Sequence, residues 1–162
     1  MNMDEILSTL ESLKNSGTKL PGFRGKLMVD ADKLTQIYDQ IKSGQKGAEW
    51  NGVRNFQAAK NLKNMKIGDK CFFYHTGKKK SIVGIAKVIK EAFLDKTDKT
   101  QKFVSIIVKA LYPLKREVSL YDIKKNKVFK DFPLVKQSRL SVMKVDIKYW
   151  KKICKMGKMN KY

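Results

Sequence analysis

Apolar positions near the start of the chain recur at helical spacing. Ile6, Leu7, Leu10 and Leu13 predict an amphipathic helix over residues 4–15, ended by Ser16-Gly17. Pro21-Gly22 marks a turn within 19–24, and residues 26–29 read as a short strand. Leu34, Ile37, Tyr38 and Ile41 share one face of a second helix over 32–43, with Gly44 as its stop and 44–47 as a loop. A short helix over 55–64 precedes a turn at Ile67-Gly68-Asp69. The period then changes. Residues 70–75 and 81–90 read as strands around the polar turn 76–80, a hairpin pattern. A third strand over 101–111 follows the polar loop 95–100. Ser119 caps a short helix over 119–126, residues 138–145 form a further strand, and Asp146 caps a last helix reaching about Met156. Hairpins decorated by short helices predict an α+β fold built on a small mixed β-barrel, preceded by an N-terminal helical segment.

Composition narrows the class. Of 162 residues, 42% are hydrophobic and 31% charged, with 3 Pro and 10 Gly, which excludes a wholly disordered or collagen-like chain. No apolar run is long enough to span a bilayer as a helix, and Asp4 and Glu5 stand where a secretory leader carries basic residues. A cytoplasmic protein without membrane association, either free or bound to the nucleoid, is the expectation. Cys71 and Cys154 have no metal-site spacing, so neither a structural zinc nor a disulfide framework is expected.

The net charge is +21, from 36 Lys+Arg and 15 Asp+Glu. Residues 1–49 hold seven basic and seven acidic groups, so the whole excess lies in 50–162. A basic layer of this size attracts a polyanion, DNA or RNA in the first place. Only Arg24, Arg54, Arg116 and Arg139 are arginine. A skew toward lysine is also what codon bias produces, so charge alone leaves a merely solvated basic surface open.

No catalytic constellation emerges. His75 is the single histidine and has no second metal ligand or nucleophile placed with it. Gly77-Lys78-Lys79-Lys80-Ser81 lacks the preceding glycine and the Lys-Ser/Thr step of a phosphate loop; Lys78, Lys79 and Lys80 form a charged turn suited to holding a phosphate backbone. No motif pairs two carboxylates. Neither an enzyme nor a cofactor is expected. The segment from Trp50 to Ala58, WNGVRNFQA, stands out because tryptophan, arginine, amides and an aromatic lie together. Stacking faces with edge donors suit a flat heteroaromatic ligand. Alternatively, Trp50 plugs the end of a barrel while Arg54 and Asn55 cap backbone groups. The residues alone favour neither.

Four stretches in order, WNGVRNFQA at 50–58, MKIGDKCFFYHT at 65–76, IVGIAKV at 82–88 and PLVKQSRLSVMKV at 133–145, resemble the EVE domain, a PUA-like family related in shape to YTH-type readers of methylated bases. The resemblance covers about residues 50–157. It implies a small barrel that accepts a flipped, modified base, a modified cytosine, without catalysis. It places Trp50, Arg54, Asn55, Phe73, Tyr74 and His75 in the pocket wall, with Gln137, Arg139 and Ser141 as its polar rim. Lys78, Lys79 and Lys80 are the implied phosphate contacts.

The N-terminal part departs from the family pattern. Members open with a strand like Tyr-Trp-Leu-x-Lys-Ser-Glu-Pro, where this chain has Lys26-Leu27-Met28-Val29-Asp30-Ala31-Asp32. Either that strand has diverged, or residues 1–49 form a separate helical segment joined to an EVE/PUA-like domain at 50–162 that lacks its first strand. The second view makes 1–49 a docking piece for a protein partner and the barrel an unspecific nucleic-acid anchor.

Overall fold

A computed structural model of the chain describes residues 24–29, 47–137 and 139–159. The helices expected at 4–15 and 32–43 lie outside the described residues. Six strands form one mixed sheet: β1 (Lys26–Val29), β2 (Ala48–Trp50), β3 (Lys70–His75), β4 (Ser81–Leu94), β5 (Val104–Ser119) and β6 (Val142–Lys144). Among the described residues, four α-helices accompany it: α1 (Phe56–Lys63), α2 (Leu120–Lys125), α3 (Pro133–Lys136) and α4 (Ile147–Met156).

The sheet order is β2-β5-β4-β3-β1-β6. β1 runs parallel to β3 and antiparallel to β6, and the other pairs are antiparallel. A strand at Lys26–Val29 is therefore present and hydrogen-bonded on both sides, so the sheet does not lack that strand. Its Leu27 and Met28 are fully buried, which is what a central strand requires.

The expected closed barrel is corrected to an open sheet. Among the described residues its edges, β2 and β6, are not paired with each other. Each edge has only three residues, too few for a closing seam. The strand expected over 138–145 shrinks to β6 because the chain before it is spent on α3 and on a turn in which Leu140 N–H donates to the Gln137 carbonyl. β5 starts later than expected because the Lys102 and Phe103 amides donate to the Asp98 carboxylate instead of a ladder. It also runs further, through Pro113, which sits opposite Gly84 where the register shifts; an irregularity is where a ladder tolerates proline. Asp146 occupies the N-cap position of α4 but makes no side-chain capping bond, and its backbone carbonyl accepts from Tyr149 and Trp150.

Two aromatic groups fill the core. Trp150 of α4 stacks on Phe72 of β3 with ring centroids 3.8 Å apart. Phe129, Phe132 and Tyr149 pack against one another beside it. Cys71 and Cys154 are buried free thiols, each pushed up to about 12 by loss of solvation.

Candidate nucleic-acid interface

The segment after β2 is built around one carboxylate. Asp95, its side chain fully buried, accepts from the Gly52 amide (2.8 Å), from Arg54 Nη1 (2.9 Å) and from both the amide and hydroxyl of Thr97 (2.8 and 2.6 Å). Burial alone raises its pKa. Hydrogen bonds from Thr97, Arg54 and Gly52 outweigh that and hold the carboxyl well below the usual carboxylate range. Arg54 also donates to Thr97 Oγ1 and lies 5.4 Å from the Phe103 ring centroid. Asn55 Oδ1 accepts from the Ala58 amide and so caps α1. Arg54 and Asn55 are thus engaged in holding the backbone of their own segment.

That anchoring positions Trp50. The indole is 2% exposed and stacks on Phe73, centroids 5.4 Å apart and planes 25° from parallel. Gly47, just before β2, has φ +124°; a Cβ there would meet the Val108 carbonyl oxygen and Ile89 Cδ1, each at 2.8 Å. Only glycine lets β2 approach β5 this closely.

The remaining expected site residues fall into three places. At the end of β1, Val29 is in register with Tyr74, and its amide donates to the Ser141 carbonyl (2.9 Å). Tyr74, His75 and Ser141 therefore converge on one end of the β1 strand. Tyr74 is buried, and loss of solvation raises its phenol pKa. His75 is half-buried, and its Nδ1–H donates to the Thr76 carbonyl. Gln137 and Arg139 are exposed on the link from α3 to β6. Gln137 lines a cavity of about 330 Å³ with Gln57, Lys60, Asn61 and Asn64 of the α1 region. Lys78, Lys79 and Lys80 are exposed in the β3–β4 turn, where Lys79 Nζ pairs with Glu117 at 3.0 Å.

Asp95 is the organising residue that sequence reasoning placed only in a loop. Its signal was available in the tandem Asp-Lys-Thr at 95–97 and 98–100, because Asp followed two residues later by Thr folds back on its own backbone. What the sequence did not show was its target 41 residues away. Among the described residues no group of three His, Cys, Asp or Glu side chains is placed to hold a metal.

A family model for the EVE domain matches residues 27–156. Thymocyte nuclear protein 1 of Mus musculus is 35% identical over 99 residues, covering 56% of this chain and 44% of that protein. The chain thus spans less than half the length of that curated relative. Among solved structures, a protein from Rhodopseudomonas palustris superposes with a TM-score of 0.77 at 39% identity, over 85% of this chain and 95% of that one. The human thymocyte nuclear protein 1 in complex with 5-methylcytosine containing DNA gives a TM-score of 0.74 at 23% identity, over 82% and 96% of the two chains, a likeness of fold.

Proposed function

The chain belongs to the EVE domain family, and from that premise we propose that it is a nucleic-acid reader that accepts a modified cytosine and performs no catalysis. The observation that carries this reading is the human relative of the same fold in complex with 5-methylcytosine containing DNA. The chain itself adds the location of its charge, since the whole excess of +21 lies beyond residue 49.

In this account the base leaves its stack and enters at the end of β1, where Tyr74, His75 and Ser141 converge, with Arg139 and Gln137 at the rim. Unstacking costs a few kcal/mol, which stacking and edge hydrogen bonds offset. Trp50 and Phe73 are buried, so they serve as the floor that fixes Tyr74 and His75. Arg54 and Asn55 act one step further back, through Asp95 and the α1 cap. Lys78, Lys79 and Lys80 hold phosphates; the exposed Lys79–Glu117 pair, worth no more than about 1 kcal/mol, yields readily to one.

The test is a division of labour. His75→Ala and Arg139→Ala are expected to weaken binding of an oligonucleotide carrying 5-methylcytosine more than that of its unmodified twin. Lys80→Gln is expected to weaken both alike and to flatten the salt dependence. Equal loss on both oligonucleotides from all three substitutions contradicts a base site at the end of β1.

A further inference from the structure

We propose that a phosphate group, free or carried on a nucleic-acid strand, binds in the cavity at the opposite end of β1, on Lys26 and Lys144. The β1–β6 register sets Lys26 directly opposite Lys144. Like charges facing each other across a ladder repel, and Lys26 is only 4% exposed. A buried cation normally has a carboxylate partner. Among the described residues, neither lysine has one.

The other charges around the cavity are already committed. Arg24 pairs with Asp69 at 3.1 Å and donates to the Asn64 carbonyl, and Lys66 pairs with Glu91 at 3.3 Å. Arg24, Lys26, Lys66 and Lys144, together with Asn64 and Asp146, supply the polar lining of about 340 Å³. With Arg24 and Lys66 engaged by Asp69 and Glu91, Asp146 offsets only one of the two charges left on Lys26 and Lys144. Burial lowers the Lys26 pKa; Asp69 raises it, while Arg24 and Lys144 lower it further. An anion between the two lysines removes that conflict.

The geometry selects phosphate over a carboxylate. Lys26 and Lys144 approach from two different strands, β1 and β6, so an anion with acceptor oxygens in several directions reaches both more readily than a planar one. The cavity also leaves room for part of whatever carries the phosphate. It is a separate site from the one proposed for the base: Lys26 and Val29 are three residues apart, about 10 Å along the strand. It does not depend on the base reading.

The experiment is an amide NMR titration of the full chain at constant ionic strength. The probes are inorganic phosphate and a short unmodified oligonucleotide with either a 5′-phosphate or a 5′-hydroxyl. Saturable shifts centred on residues 24–26, 64–66 and 144–146 are expected, with Lys26→Met and Lys144→Gln each weakening the phosphate response about tenfold. Methionine keeps the lysine stem's bulk in the core; should Lys26→Met fail to fold, the exposed Lys144→Gln carries the test. A cavity response to inorganic phosphate that neither oligonucleotide shares identifies a free anion as ligand. The same response to the oligonucleotides identifies a strand phosphate, terminal if only the 5′-phosphorylated one gives it. No saturable shift with any probe, shifts spread equally over Lys78–Lys80, or wild-type affinity in Lys144→Gln overturns the proposal.

Discussion

Trp50 and Phe73 stack at 5.4 Å, although β2 and β3 stand three strand spacings apart in the sheet order. In a flat sheet that separation is about 14 Å. The contact therefore measures how strongly the open sheet curls: its β2 edge folds over until an edge indole reaches a central strand. Register shifts within the β3–β4 and β4–β5 ladders supply the bending, as bulges increase local twist. Closure by hydrogen bonds is replaced by closure through aromatic packing.

If that packing holds the curl, Trp50→Ala costs about 3–5 kcal/mol, the range for a large buried aromatic, and Trp50→Phe costs much less. Urea unfolding of the two variants checks this. A loss below about 1 kcal/mol for Trp50→Ala would mean that the curl is maintained by other contacts.

Gly47→Ala tests the same relationship from the backbone. The new methyl meets the Val108 carbonyl at 2.8 Å in a conformation that disfavours any Cβ. Earlier amide exchange in β2 is expected, together with a drop in stability of about 1–3 kcal/mol. Wild-type protection of the Trp50 amide would contradict the account.

The Asp95 anchor predicts coupling. Asp95→Ala strands the Gly52 and Thr97 amides, a cost of about 1–3 kcal/mol. Arg54→Ala costs less because the guanidinium is partly exposed. The double variant should lose clearly less than the sum of the two, as read from a double-mutant cycle in thermal unfolding. Strict additivity would separate Arg54 from the anchor.

Acid should loosen the same loop. Asp98 is held at about 2, chiefly by the Thr100 hydroxyl, with burial opposing and the Phe103, Thr100 and Lys102 amides assisting; its ordinary value is 3.8. A carboxyl with a depressed folded-state pKa contributes its full stability above the ordinary value and loses it as pH falls toward the folded one. Asp95 shifts in the same direction. The thermal midpoint should therefore be level above about pH 4 and fall between pH 4 and 2, with a shallower fall in Asp98→Asn. An identical pH profile in that variant would contradict the assignment.

How much of this was legible depends on the range of the interactions. β3 could be placed from its apolar run and the polar turn beyond it, and α1 from Asn55 and its amphipathic spacing, because each is decided locally. β2 could not: Ala48, Glu49 and Trp50 are too few to show a period, and their strand character comes from β5. The barrel was expected because strands in hairpins, decorated by short helices, suit one. Whether a sheet closes depends on its edges, and here the edge strands are short for tertiary reasons. For the site, the WNGVRNFQA segment announced itself by composition, but the roles within it were set by Asp95, far away in sequence. The sequence read Lys26 as one strand residue among others; its burial opposite Lys144 follows from a pairing between segments more than a hundred residues apart.

The most direct test of the central claim is the affinity of the full chain for two labelled oligonucleotides differing only in one 5-methylcytosine, measured by fluorescence anisotropy at low and at physiological salt. Both affinities should fall with salt as phosphate contacts are screened, while the ratio between them stays constant and favours the methylated strand. A ratio near one at both salt concentrations would contradict a reader of modified cytosine and leave only lysines bound to phosphate.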